Sequence, residues 1–484
     1  MRIYLPLAIF ITVAAAITLA AAQPFPPAAA PATQPAFWQW AERPILGWNS
    51  WDCYGTGVNE EQVLANAQYM KDNLLAHGYN LITVDIQWYE PRARTTNYRR
   101  NAVLEMDANG RLLPAANRFP LTKETRSFKP LADKIHAMGL TFGVHLMRGI
   151  PRQAIAQNVH ILGTEKLKEG GIRAADIASK TDICAWNTDM YGVDMTRPGA
   201  QEYYDSVFAL LASWEIDFVK VDDLSAPRYH AAEVEAIRKA IDKTGRRIVL
   251  STSPGATPVS QGAHVATHAN QWRVSNDFWD EWRLLKEQFA RLDAWTPYRG
   301  PGHFPDADML PVGNIRAFQQ NGAWTRFTQD EQITMMTLWC IARSPLIIGG
   351  NMPRNDDFTL KLLTNDEVLR VNQHTTNNRQ LWNKGDLYAW VADDDENLCS
   401  YVALFNAPDA PRGRRGRPAT QPAAPSATTV TFNIADLPPR AASTSDTVRD
   451  LWNHKDIKLD EKKVISVDLL PHQAALFKIE YRKR

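Results

Sequence analysis

The run Asp217-Phe218-Val219-Lys220-Val221-Asp222-Asp223 brings a lysine and two carboxylates together at the end of an apolar stretch. Charge is costly to bury unless it is paired or used, so a strand ending this way marks a candidate active site. Gln271-Trp272-Arg273-Val274-Ser275-Asn276-Asp277 repeats the pattern with an arginine and an aspartate. Carboxylates on the ends of two different strands suit glycoside hydrolysis, in which one serves as nucleophile or base and the other as acid. An aspartate at a strand end is also a common helix cap, so the joint pattern carries the inference and neither residue does alone.

Strands alternating with amphipathic helices must position these groups. Candidate strands are Ile45–Trp51, Leu81–Ile86, Leu140–Leu146, Phe218–Asp222, Ile248–Ser251, Gln271–Ser275, Trp295–Tyr298 and Leu346–Gly349. Asn59-Glu60-Glu61-Gln62 reads as a capping box opening a helix through Val63–Leu75, and Pro198 to Ser213 and Ala231 to Ile241 have helical apolar spacing. The alternation predicts a (β/α)8 barrel over residues 43–375; the phosphate-binding glycines of a doubly wound sheet are missing after the first strand. Beyond it, Leu387–Val391, Ser400–Phe405, Thr428–Phe432 and Ala474–Ile479 alternate with period two and predict an antiparallel β-sandwich over 376–484. The Pro/Ala-rich insertion 408–428 is expected to be disordered.

In a barrel the strand ends face the site. They collect Trp48 and Trp51, Asp85 and Trp88, His145, Lys220 with Asp222 and Asp223, Ser251, Arg273 with Asp277, and Asp306 with Asp308. Carboxylates and cations bridge sugar hydroxyls and aromatic faces stack on sugar rings, so a carbohydrate ligand is expected. Most of the 16 tryptophans belong to packing.

The rest of the chain sets bounds. With a formal charge of +1, there is no electrostatic case for nucleic acid, and the cluster Arg412 to Arg417 reads as a solvated loop. Arg2, the apolar run Leu5 to Ala22 and Ala20-Ala21-Ala22 read as a cleaved export signal over 1–22, followed by a Pro/Ala-rich linker over 23–42. The expected location is secreted or periplasmic, with no membrane partner after cleavage. Four scattered cysteines give neither a disulfide scaffold nor metal spacing, His145 lacks companion ligands, and no calcium loop is present. No cofactor or metal is expected, and the sequence sets no oligomeric state.

Taken in order, these motifs resemble glycoside hydrolase family 27, the α-galactosidase/melibiase family. Gly47-Trp48-Asn49-Ser50-Trp51, Phe218-Val219-Lys220-Val221-Asp222, Trp272 to Asp277, Gly300 to Leu310, Ser344-Pro345-Leu346 and Leu362 to Val368 with Val371-Asn372-Gln373 carry the likeness. The resemblance implies an exo-acting, retaining hydrolase of terminal α-D-galactosyl residues on an oligosaccharide or polysaccharide side chain. Asp222 would be the nucleophile and Asp277 the acid/base, with their carboxyls about 5–5.5 Å apart. Lys220 would lower the Asp222 pKa and hold a hydroxyl, and Arg273 would bind near the 2-hydroxyl. Asp85 would take the 4/6-hydroxyl end beside the wall of Trp51, while Asp306 and Asp308 would buttress the site. Asp277 would need a sparingly solvated setting, which Trp272, Phe278 and Trp279 could supply.

Departures from the family pattern gather at the 4/6-hydroxyl end. A second aspartate after Asp85 is replaced by Ile86, a tyrosine by His145, and Cys-Glu-Trp-Pro by Ser251-Thr252-Ser253-Pro254. Arg148-Gly149-Ile150-Pro151 is an unusual loop, and Leu224 stands where Cys184 would find its usual partner. β-L-Arabinopyranosidase, α-N-acetylgalactosaminidase and isomaltose-releasing activities therefore stay open within the class. A non-catalytic sugar-binding protein is the alternative outside it.

Overall fold

The computed structural model describes residues 34–319, 322–409, 426–437 and 444–481. The expected export signal, the linker up to residue 33 and most of the 408–428 insertion fall outside these.

Eight parallel strands form the first sheet: β1 Leu46–Asn49, β2 Leu81–Val84, β3 Thr141–Met147, β4 Phe218–Asp222, β5 Val249–Thr252, β6 Gln271–Arg273, β7 Phe304–Asp306 and β8 Leu346–Ile348. They pair in chain order, and β1 pairs with β8 through Leu46↔Leu346 and Gly47↔Ile347. Leu310, just beyond β7, bridges Ile348 in parallel and closes the ring. The fold is a (β/α)8 barrel. Inside it, Leu81, Phe218, Val249, Met309 and Ile347 form a buried plug. Outside it pack α1 Glu60–Asn73, α2 Lys129–His136, α3 Ala200–Ser213, α4 Ala231–Thr244, α5 Trp282–Ala294 and α6 Gln329–Ile341. α1 starts at the expected capping box, in which Asn59 and Gln62 bond each other's backbone. Two orphan amides are satisfied at once.

Two expectations change. Trp295–Tyr298 is not a strand: Trp295 ends α5 against Trp272, the next residues make a 3-10 turn, and the seventh strand is β7. A short aromatic run cannot be told from a helix end by periodicity alone. Within the expected linker, Ala36–Trp40 forms a 3-10 helix. Phe37 is buried, Asn270 donates to its carbonyl, and Trp38 Nε1 donates to Ala266. The aromatic side chains fix this segment against the barrel despite its Pro/Ala-rich approach.

The second domain is a sandwich. β9 Thr376–Lys384, β10 Leu387–Asp394, β11 Cys399–Asn406, β13 Thr444–Asp450, β14 Lys455–Lys458 and β16 Ala474–Tyr481 form an antiparallel sheet in the order β9-β10-β11-β16-β13-β14. β12 Thr428–Asn433 pairs with β15 Val464–Leu469. Val391, Val402, Val430, Phe432, Ile465 and Phe477 fill a common core.

Candidate active site

Lys220 and Asp222 sit two residues apart near the end of β4, so both side chains leave the same face. The register pairs Lys220 with His145 on β3 and with Ser251 on β5, which brings three polar side chains to one level of the barrel. His145 is fully buried, and its Nε2 lies 3.0 Å from Asp222 Oδ2. It has no surface of its own for a sugar; its reach to one runs through that carboxylate. Asp222 Oδ1 is buried and accepts no hydrogen bond among the described residues. Lys220 Nζ donates to Asp85 Oδ2 at 3.0 Å, and Asn49 Nδ2 donates to the same oxygen at 2.8 Å.

This packing sets the charges. Burial pushes the Asp222 carboxyl up, but the Lys220 cation and the His145 ring beside it outweigh burial and hold it well below the usual carboxylate range. Asp85 follows the same balance and is lowered too. Lys220 is raised: burial opposes its charge, and Asp85 and Asp222 overcome that. The centre is an ionised Asp222–Lys220–Asp85 chain.

Arg273, at the end of β6, faces it. Its NH2 group lies 2.8 Å from Asp308 Oδ2 and 3.2 Å from Asp277 Oδ1. Asp308 Oδ2 also accepts from the Phe278 amide at 2.7 Å, and Asp306 Oδ1 accepts from the Asp308 amide. These bonds bracket the segment that carries Asp277. Burial, opposed by Arg273, raises both Asp306 and Asp308. The sparingly solvated setting expected for Asp277 is not found, since its side chain is 55% exposed. Trp272 turns instead into the core against Trp295, and Trp279 lies under Arg316.

Trp51 is half-buried at the mouth and stacks on Tyr98, with ring centroids 6.0 Å apart and planes at 12°. Trp88 is a correction. It is fully buried among Tyr89, Phe128 and Trp214, with its Nε1 donating to the His145 carbonyl. It holds β3 from behind, and its full burial leaves it no surface to offer a sugar. Trp48 is likewise core.

Asp223 pairs with Arg148 at 2.8 Å, and the same guanidinium reaches Asp182 at 3.0 Å and Glu233 at 2.7 Å. Asp182, His230 and Glu233 converge closely enough for a metal ion, but Arg148 already occupies the carboxylates. All four cysteines are free and buried.

Reasoning from strand ends misses several residues. Asn49 lies within Gly47 to Trp51 and is legible there as a polar strand end. Ser253, which helps lower the Asp222 carboxyl, stands in the altered segment after β5. Asp52 is buried, and burial with the nearby Asp308 and Asp277 raises its carboxyl well above the usual range. Tyr98 and Trp186 come from long loops with no periodic signal.

Comparison with known proteins places the chain in a family. A family model described as alpha galactosidase A matches residues 174–374, and one described as the alpha galactosidase C-terminal beta sandwich domain matches 384–479. The crystal structure of a GH27 β-L-arabinopyranosidase from Geobacillus stearothermophilus, in complex with arabinose, is 46% identical, covers 93% of this chain and 100% of that one, and superposes with a TM-score of 0.85. The chain belongs to glycoside hydrolase family 27. The crystal structure of a putative α-N-acetylgalactosaminidase from Bacillus halodurans is 42% identical, covers 91% of this chain and 99% of that one, and has a TM-score of 0.78. Alpha-galactosidase 2 of Arabidopsis thaliana is 26% identical over 91% of this chain and 90% of its own length. As a family 27 member the chain is a glycosyl hydrolase, and its substrates are carbohydrates.

Proposed function

We propose that this family 27 hydrolase is a retaining exo-glycosidase of terminal galacto-configured pyranosides. Asp222 attacks the anomeric carbon through its carboxylate and forms a covalent glycosyl-enzyme. Asp277 protonates the leaving oxygen, then takes a proton from the water that releases the sugar. His145 orients Asp222 from below, Lys220 keeps it ionised, and Arg273 positions Asp277. The observation that carries this reading is the lowered Asp222 beside His145 at the end of β4, with an exposed Asp277 held by Arg273 just beyond β6. Proton NMR of the first-formed sugar tests it: retained anomeric configuration is expected, and inversion overturns it.

Between the two sugars at issue, terminal α-D-galactosyl is the sequence expectation, and β-L-arabinopyranosyl is better supported. L-Arabinopyranose is galactose without the C5 hydroxymethyl group, and its β-glycosides share the anomeric geometry of α-D-galactosides. Where a second carboxylate could receive the extra hydroxyl, this chain has the buried apolar Ile86. The 46% identical arabinopyranosidase points the same way. With nitrophenyl glycosides, kcat/KM is expected to be about tenfold or more higher for the β-L-arabinopyranoside than for the α-D-galactopyranoside. The reverse order would restore the galactosidase.

A further inference from the structure

We infer that Tyr98 is a further sugar-binding residue, with its phenol donating to a ring hydroxyl of the glycone seated between Asp85 and Asp222. The inference rests on the proposed function in that it takes a pyranoside to occupy this site.

Three half-buried aromatic rings from three different loops meet at the barrel mouth. Trp51 follows β1, Tyr98 lies in the excursion after β2, and Trp186 lies in the excursion after β3. Tyr98 is the middle ring. It is nearly parallel to Trp51, and its centroid is 5.4 Å from that of Trp186 with planes at 43°. Trp51 stands two residues past Asn49, whose side chain holds Asp85 while the Asn49 Oδ1 accepts from the Trp51 amide. The stack is therefore anchored to the Asp85–Lys220 end of the site.

The Tyr98 loop is pinned on both sides. Arg99 NH1 donates to Glu90 Oε1 at 3.1 Å, and the Asn101 amide donates to Thr188 Oγ1 at 2.9 Å, two residues from Trp186. A ring fixed this firmly is pre-organised for a ligand.

Its hydroxyl makes no hydrogen bond among the described residues, and the residue is only half-buried, so the donor is open to a ligand. Burial and then Asp222, Asp85 and Asp277 raise its pKa, so the group stays a protonated donor ringed by acceptors. A pyranose lying among those carboxylates offers the oxygen that the donor lacks.

Two measurements test this. Intrinsic-fluorescence titration with L-arabinose and D-galactose is expected to show monosaccharide binding about tenfold weaker in Tyr98→Phe than in wild type, with a thermal midpoint unchanged within about 2 °C. Tyr98→Ala, which removes the ring as well, is expected to weaken binding further. Rates on a nitrophenyl and a methyl glycoside of the same sugar should fall by the same factor in Tyr98→Phe. Equal monosaccharide affinity in wild type and Tyr98→Phe overturns the assignment. So does a loss confined to the nitrophenyl substrate, which would move Tyr98 to the leaving-group side. Wild-type inactivity on every galacto-configured glycoside overturns the proposed function instead, and failure of wild type to bind either monosaccharide overturns both.

Discussion

Asp222 Oδ2 stands 3.0 Å from His145 Nε2, and the Lys220 cation on the same strand face helps hold the carboxyl ionised. Removing the charge while keeping the shape should separate chemistry from binding. Asp222→Asn is expected to lower kcat by about 10⁴-fold or more yet retain sugar binding by calorimetry; unchanged turnover would refute the nucleophile. Asp277→Asn should slow substrates with unactivated leaving groups by about 10²–10⁴-fold, and activated aryl glycosides less, in steady-state assays. The pH behaviour follows from Lys220 and His145 outweighing burial at Asp222. A carboxylate lowered in the fold contributes stability that is present above its unfolded value, about 3.9, and is lost as pH falls toward the folded value. The same lowering keeps the nucleophile charged in mild acid, so the acid limb of kcat/KM should lie below the ordinary carboxylate range. Lys220→Met removes the leading lowering influence and should move that limb upward in a pH–rate profile; an unmoved limb would set Lys220 aside as the cause.

At the scale of elements, strand order explains why so much of the site is legible in the sequence. Lys220 and Asp222 on one face of β4, and Arg273 at the end of β6, follow from period-two geometry and from the rule that barrel sites sit at strand ends. Trp88 and Asp277 show where that rule stops. Each lies beyond its strand, where loop backbone rather than the pleat decides direction, and the sequence carries no period there. Tyr98 and Trp186 escape the pattern for the same reason. The Arg148 loop is a third case: unusual as a sequence, it proves to be a clamp. The Arg148 amide donates to the Asp222 carbonyl at 2.9 Å, while its guanidinium ties Asp223, Asp182 and Glu233 together. Gly149 is required beside it, since a Cβ there would meet the Tyr191 carbonyl oxygen at 2.0 Å. Arg148→Met leaves three carboxylates without their cation in a largely buried setting. It is expected to cost about 3–5 kcal/mol in urea unfolding, and a cost under about 1 kcal/mol would show the clamp to be dispensable.

For the whole molecule, the question is whether the barrel stands without the sandwich. α6 answers from its burial: from Glu331 to Ile341 every residue but Ile333 is buried, so both faces of the helix are covered. A helix apolar all round is stable only when it is enclosed, and β16 and β11 of the sandwich supply part of its cover. Specific contacts fasten the two domains. Trp282 on α5 stacks on His472 at 3.5 Å between centroids, and His472 also pairs with Glu331 at 2.8 Å. Trp452 Nε1 donates to Thr337 Oγ1, and Arg370 forms a two-pronged pair with the buried Asp394. Several of these residues lie on the helices that close the barrel, so losing the sandwich uncovers the far side of the elements that hold β7 and β8 in place. Residues 34–375 expressed alone are therefore expected to aggregate or to lack a cooperative thermal transition, whereas the full chain unfolds in one. Trp282→Ala in the full chain, which opens the junction without deleting it, should cost about 3–5 kcal/mol in chemical denaturation. A barrel fragment that melts cooperatively at the midpoint of the intact protein would show that the sandwich is an appendage rather than part of the same folding unit.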